Sequence, residues 1–280
     1  MADISIEPLY RIFDECFPEI SITLSAFETM LSHKSSFLIT ERLNDEIIGF
    51  SAVRDNSVIL ICVAPGHQYH GIGTKLLHDS ETFISKSGYK SVILGRDPSC
   101  FFMGAVIDNF SHRFFMKHGY YALNGCLCMW ADLSTASFSK VSESLLSGDI
   151  VRFELDNFDD TDLEYTVNAV EPKWLRLYRA PGHIITARTD DHIVGFSCIS
   201  LYTPTLLSSS DGLSGSIDYV GVLPEYRNRG IGRRLIENSM RFQKESGCES
   251  AFIRYTSLDE WYRKCGFEEF IWYWLGEKQI

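Results

Sequence analysis

Two periodicities alternate along the chain. Where apolar residues return roughly every three to four positions, helices are predicted. In the first half these are Ile6–Cys16, Thr23–Ser32, Gly71–Ser87 and Phe110–Lys117. In the second they are Asp160–Val170, Pro172–Arg179, Gly230–Glu245 and Ser257–Lys264. Where residues alternate in period two, or form short apolar runs, strands are predicted. The first half offers Phe37–Leu43, Glu46–Arg54, Ser57–Val63, Ser91–Leu94 and Tyr120–Trp130. The second offers Ile150–Leu155, His183–Arg188, His192–Leu201, Ile217–Val222, Ala251–Arg254 and Phe267–Leu275. Asn44-Asp45 and Asp190-Asp191 fall where tight hairpin turns are needed. Gly88 and Gly247 follow long helices as C-terminal stops.

The same order of elements is written twice. Ile47-Ile-Gly-Phe-Ser-Ala-Val53 returns as Ile193-Val-Gly-Phe-Ser-Cys-Ile199, 146 residues later. Val63-Ala-Pro65 with Gln68-x-x-Gly71-Ile-Gly73 returns as Val222-Leu-Pro224 with Arg227-x-x-Gly230-Ile-Gly232, 159 residues later. Phe115-Met-Lys-His-Gly119-Tyr120 returns as Tyr262-Arg-Lys-Cys-Gly266-Phe267, 147 residues later. The changing offset locates two insertions: 13 residues in the Ser/Gly/Thr/Pro-rich Thr203–Ser216, and 12 near Gly95–Asn109. The expectation is a duplicated domain, residues 1–133 and 150–280, joined by a Ser-rich linker over 134–149. The first copy lacks a clear counterpart of Ile150–Leu155, having either lost that strand or kept it as Asp3–Ile6.

In each copy a buried strand runs into a turn at Pro65 or Pro224, and a glycine-bearing loop then opens a helix. A helix N-terminus presents unpaired N–H groups and the positive end of its dipole. Glycines let an anion approach the backbone, so this unit is suited to cradling a pyrophosphate. In the second copy Asn228 and Ile231 complete the loop, and Arg227, Arg229 and Arg233 would add charge-assisted contacts. The first copy has Gln68, His70 and Thr74 there, a weaker charge. Leu76 and Leu235 stand where a dinucleotide fingerprint needs its third glycine. Neither a Gly-Lys-Ser/Thr P-loop nor a Gly-x-Ser-x-Gly elbow is present.

Composition narrows the setting. At 280 residues, 45% hydrophobic and 22% charged, the chain can bury two cores. A net charge of −11 argues against a nucleic-acid partner, yet Arg227, Arg229, Arg233 and Arg234 gather within eight residues. No apolar run reaches the length of a membrane span, and the acidic N-terminus lacks the basic region of a secretory signal. The eight cysteines are scattered, several within apolar strands, which suits reduced thiols in the cytoplasm. Cys126-x-Cys128 has no second pair at zinc-ligand spacing, so no metal is expected.

The Gln/Arg-x-x-Gly-x-Gly loop after Val-x-Pro, with an aromatic-x-x-x-Gly-aromatic ending downstream, resembles the GNAT superfamily of acetyl-CoA-dependent N-acetyltransferases in two tandem copies. The resemblance covers roughly residues 4–133 and 150–276. It implies an α/β (α+β) fold class: two tandem domains, each a mixed, mainly antiparallel central sheet flanked by helices. It also implies that the loop N–H groups bind the pyrophosphate of coenzyme A. The strand before them would splay from its neighbour and pair with the pantetheine arm, through Val220 and Val222 in the second copy and Val63 in the first. The cofactor-binding set is then Arg227, Asn228, Arg229, Gly230, Ile231, Gly232 and Arg233, with Gln68, Gly71 and Gly73 in the first copy.

The resemblance also ranks the copies. Tyr262 occupies the family's general-acid position, where it would protonate the leaving thiolate; the first copy has Phe115, which has no proton to give. Asp218, four residues before Val222 and on the same strand face by period two, is a candidate base or amine ligand; its first-copy counterpart is Ile59. The second copy is therefore expected to be catalytic and the first a scaffold or a coenzyme A-binding relic. Glu171, Trp174 and Tyr178 are candidates to line the acceptor site. Tyr255 stands where the family often has Asn.

The leading function is acetyl transfer to a primary amine of a small molecule by direct attack in a ternary complex. The stretch 95–104 is similar to tandem family members that acetylate amino sugars. A non-catalytic acetyl-CoA sensor and a protein or peptide acetyltransferase are the alternatives. A monomer is expected, its halves forming a pseudo-dimer, with neither nucleic acid nor membrane as partner.

Overall fold

The computed structural model describes residues 5–18, 20, 22–32, 35–95, 102, 104–107, 110–136, 138, 143–146, 148–156, 161–176, 182–190, 192–201 and 213–280. In the first half these form helices α1 (Ile6–Cys16) and α2 (Leu24–Leu31) and strands β1 (Ser36–Leu43), β2 (Glu46–Arg54) and β3 (Ser57–Val63). Helix α3 (Ile72–Lys86), strands β4 (Ser91–Leu94) and β5 (Ala105–Val106), helix α4 (Ser111–Lys117) and strand β6 (Tyr121–Asp132) follow. The second half holds β7 (Glu143–Leu146), β8 (Asp149–Asp156), α5 (Thr161–Val170), β9 (His183–Arg188), β10 (Ile193–Ser200) and β11 (Leu213–Val222). It closes with α6 (Ile231–Glu245), β12 (Cys248–Thr256), α7 (Asp259–Arg263) and β13 (Glu268–Gln279). The fold is mixed α/β with a mostly antiparallel sheet, as expected.

The chain divides into two compact units. One holds Met1–Leu127, Pro204–Asp211 and Ile271–Ile280; the other holds Cys128–Thr203 and Gly212–Phe270. These are not the contiguous segments 1–133 and 150–280. The last strand of the chain serves the first unit, where Glu277, Lys278 and Gln279 of β13 pair antiparallel with Ile93, Val92 and Ser91 of β4. Residues from Cys128 onward belong to the second unit, where the Leu133 N–H donates to Glu249 O.

Within the first unit β1, β2 and β3 form an antiparallel meander, and β4 joins β3 in parallel. The β1–β2 turn places Asn44 and Asp45 at φ 49° and 65°. Positive φ at both positions matches the right-handed strand twist, and Asn and Asp tolerate it best. Within the second unit the order is β12-β11-β10-β9-β8-β7, antiparallel except for β11–β12. Strands β9 and β10 are buried on both faces. Val194, Ile185 and Ala187 pack with Leu235 of α6, while Ile184, Ile193 and Phe196 pack with Leu163 and Val167 of α5. A sheet covered on both sides needs such unbroken apolar runs.

Three expectations are corrected. The linker 134–149 contains β7, which pairs with β8 through Glu143↔Arg152 to Leu146↔Asp149. The predicted helix Pro172–Arg179 is a 3-10 turn over Pro172–Arg176, and its remainder lies outside the described residues. Strand β11 starts at Leu213, so the predicted loop 203–216 ends in a strand; its earlier part lies outside the described residues. Ser214, Gly215 and Ser216 lack an apolar pattern because a side chain lies on them. Gln243 of α6 donates to Ser216 O at 3.0 Å and Ser200 O at 3.2 Å, and a Cβ on Gly215 would strike its amide.

Candidate active site

Each unit builds the same turn from its own residues. After β3 the chain makes a 3-10 turn at Pro65–His67, with the Ala64 N–H bonded to Ile48 O; after β11 it does so at Pro224–Tyr226, with Leu223 bonded to Val194 O. The side chain that follows reaches back to the strand in both: Gln68 Nε2 donates to Val63 O at 3.1 Å, and Arg227 Nε donates to Val222 O at 3.0 Å. Arg227 therefore fastens the loop to β11.

Tyr69 and Asn228 then adopt φ 63° and 61°, and Gly71 and Gly230 adopt φ 84° and 87° as helix N-caps. Two left-handed residues in one turn aim the backbone at the helix axis, which only small or Asx residues do cheaply. Neither cap supplies a side-chain oxygen. Helix geometry leaves the first N–H groups of α3 and α6, at Ile72, Gly73 and Thr74 and at Ile231, Gly232 and Arg233, without intrahelical acceptors.

The strands beside these turns splay. The β3–β4 register covers only Ser57↔Ile93 and Val58↔Leu94. The β11–β12 register runs from Leu213↔Cys248 to Ser216↔Phe252, while β11 continues to Val222. In the first unit the opening is a cavity of about 710 Å³. Val63, Gln68, Gly71, Gly73 and Thr74 stand on its polar side, and Phe102, Phe114 and Phe115 on its apolar side.

The α4 and α7 endings also match. Phe115 O accepts from the Tyr120 N–H at 3.1 Å, as Tyr262 O does from Phe267, and Gly119 and Gly266 turn at φ 86° and 93°. Tyr262 is 7% exposed and packs edge-on to Trp261 and Phe267. Burial, with smaller contributions from Cys265 and Asp218, pushes its phenol well above the ordinary value, so it stays protonated. Cys265 beside it is raised to about 11, chiefly by burial. Trp261 lies under the loop, 3.2 Å from where a Cβ on Gly232 would stand.

Asp218 departs from the expectation. Opposite Ser197, β11 carries one extra residue: Phe196 pairs with Gly221 and Cys198 with Asp218, leaving Tyr219 and Val220 against one partner. Tyr219 takes φ 49° in this bulge. An extra residue inverts the alternation. Asp218 thus shares the α5 face with Cys198, while Val222 packs on the α6 face. Period two had placed them together. The carboxylate is also engaged, receiving hydrogen bonds from Arg254 and from Ser216 Oγ at 2.7 Å.

The remaining candidates have structural partners. Arg229 lies 4.8 Å over the Tyr226 ring, and Arg233 pairs with Glu237 at 3.0 Å while staying exposed. Glu171 caps the 3-10 turn, its Oε1 accepting from the Lys173 N–H at 3.2 Å. Trp174 packs edge-on to Phe196 and Tyr219. Tyr178 lies outside the described residues. Arg254, which sequence reasoning missed, is recognisable afterwards as a charge inside an otherwise apolar strand. Among the described residues no group of three His, Cys, Asp or Glu could hold a metal, and no helix is long and apolar enough to cross a membrane.

The twin turns and splayed strands decide the family. Residues 149–267 match the Acetyltransferase (GNAT) family, and residues 3–99 match the Acetyltransferase (GNAT) domain. The chain is a tandem GNAT protein. A comparison with curated proteins yields no match.

Solved structures carry the same fold. One is described as a GCN5-related glucosamine N-acetyltransferase region in a fungal multi-domain GH3 beta-N-acetylglucosaminidase. It aligns at TM-score 0.83 and 22% identity over 99% of this chain. This GNAT chain spans 37% of that one's length. A GCN5-related N-acetyltransferase from Sphaerobacter thermophilus aligns at 0.71 and 18%, covering 97% of this chain and 91% of its own. A tandem GNAT protein from the clavulanic acid biosynthesis pathway aligns at 0.70 and 13%, covering 99% and 95%.

Proposed function

We propose that the protein transfers an acetyl group from acetyl-CoA to a primary amine of a small molecule, and that the second unit performs the transfer. The observation that carries this is the pair Tyr262 and Phe115: two copies of one helix ending, of which one offers a proton and the other does not. Acetyl-CoA fits both turns, since glycines stand where a Cβ would crowd the loop and uncapped N–H groups face the place of the pyrophosphate. Bound there, it supplies an activated thioester.

The chain's own residues do the rest. The Ile231, Gly232 and Arg233 N–H groups and the exposed Arg233 guanidinium hold the phosphates. The edge of β11 from Val220 to Val222, beyond its last pairing with β12, offers main-chain groups to the pantetheine amides. Tyr262, kept protonated by burial, gives its proton to the departing thiolate. Asp218 holds Arg254 and fixes the splayed strands; with both oxygens occupied it is not the base. Glu171 caps a turn and Asp218 is neutralised, so an acidic groove for a basic peptide is not favoured. The likeness to the fungal structure makes an amino sugar the acceptor to try first.

The test is coenzyme A release with a panel of small amines that includes glucosamine, comparing wild type with Tyr262→Phe. Turnover by the wild type with a loss of about a hundredfold or more in the variant is expected. Equal turnover, with an unchanged pH profile, would remove Tyr262 from the mechanism.

A further inference from the structure

The first unit carries a feature that the second lacks. Tyr69 occupies the left-handed position that Asn228 fills in the other copy, at φ 63° with 84% of its surface exposed. A bulky aromatic residue at positive φ is uncommon, and such strain concentrates at ligand sites. Phe110, 64% exposed, stands 6.3 Å from it with the rings at 72°. Together they form an aromatic corner on the rim of the 710 Å³ cavity. The corner lies three residues before the uncapped N–H groups of Ile72 and Gly73, and the apolar cleft beyond them ends at Phe115.

These features, in this order, suit one ligand chemistry: a planar base, then phosphates, then an extended acyl-bearing arm. An exposed ring stacks on any nucleobase. We propose that the first unit is a holding site for a nucleotide-linked thioester, in which Tyr69 and Phe110 clamp the base and Phe115 leaves the thioester undischarged. The inference rests on the family reading of the cradle, but not on turnover by the second unit.

Calorimetry of the full chain with acetyl-CoA tests it. Thr74→Glu places a carboxylate at the third position of α3, which favours the helix and repels phosphate. It should remove one bound molecule per chain, while Arg233→Glu weakens the other. Tyr69→Asn restores the residue of the second copy, which tolerates the positive φ. It should weaken binding to the first unit about tenfold for acetyl-CoA and leave acetyl-pantetheine, which has no base, unaffected. Cys16 lines the same cavity, so its alkylation, followed by mass spectrometry, reports occupancy there.

In the Arg233→Glu chain acetyl-CoA should still shield Cys16 and should not be consumed when amines are added. Unchanged stoichiometry in Thr74→Glu, equal acetyl-CoA affinity in Tyr69→Asn, or consumption of the thioester that shields Cys16 would each overturn the proposal. Absence of turnover by the wild type would instead count against the proposed function alone.

Discussion

Arg254 grips Asp218 with two nitrogens, Nε at 3.2 Å from Oδ1 and Nη2 at 2.8 Å from Oδ2, from strand β12 to the bulged strand β11. The pair joins the strands just beyond the last residues that pair by main chain, Ser216 and Phe252. It is only partly exposed, with side chains at 16% and 25%. Replacing Arg254 by Met should cost about 1–3 kcal/mol, between the surface and buried limits for an ion pair. Urea unfolding measures this. Asp218→Asn keeps an acceptor for Arg254 and should retain turnover within about tenfold. A general base would lose at least about a hundredfold, and that loss would restore Asp218 as the base.

The helix ending at Tyr262 gives a prediction about pH. Burial raises the phenol, so the acid stays protonated throughout the neutral range and should contribute no alkaline limb to kcat below about pH 10. Tyr262→Phe should lower kcat much more than it raises KM for acetyl-CoA, because the phenol acts on the leaving group and not on the cradle. A pH–rate profile and a KM series measure both. An alkaline limb near pH 8 that vanishes in the variant would contradict the raised phenol.

Most of the architecture was legible because it was written twice. The Val-x-Pro turn, the Gly-x-Gly loop and the Gly119 and Gly266 endings carry backbone requirements that few residues meet, so they survive as visible motifs. The hidden parts were those without such a signature. The bulge at Tyr219 and Val220 adds no glycine and leaves an ordinary apolar strand, yet it moves Asp218 to the opposite face. The assignment of the last strand to the first unit depends on contacts far apart in sequence. Polar residues in helix interiors were similarly silent: Ser80 bonds Ser51 at 2.8 Å, and Ser239 lies 2.6 Å from Ser197, each fixing a helix to its strand. The cradle could be placed from sequence; the engagement of Arg227 with β11 and of Asp218 with Arg254 needed the geometry.

The two cradles should respond differently to a single methyl group. A Cβ on Gly73 would meet Phe114 at 3.7 Å, an ordinary contact, whereas one on Gly232 would meet Trp261 at 3.2 Å. Alanine favours a helix over glycine by about 0.5–1 kcal/mol. Gly73→Ala should therefore leave stability unchanged or raise it by about that amount, while Gly232→Ala should lose the gain to crowding against the indole. Thermal unfolding of the two variants compares them. Gly232→Ala should also raise KM for acetyl-CoA, because the methyl group stands at the loop that takes the phosphates.

The thiols should titrate in a fixed order. Cys16 is lowered from its ordinary value, first by a hydrogen bond from Cys62 and then by the main chain at Val63, against a desolvation that works the other way. Burial raises Cys265 to about 11 and Cys126 to about 12. Thiolate is the reactive form, so iodoacetamide should label Cys16 before the other described cysteines as pH rises from 6 to 9. The raised thiols also link pH to stability. Their protonated forms are favoured by folding, so their contribution is complete below the unfolded value of about 9 and is lost as pH rises through about 11 to 12. Denaturation midpoints should hold steady up to about pH 9 and then fall. If Cys265 or Cys126 were labelled first at pH 8 in folded protein, the burial that raises them, and with it the close packing beside Tyr262, would be wrong.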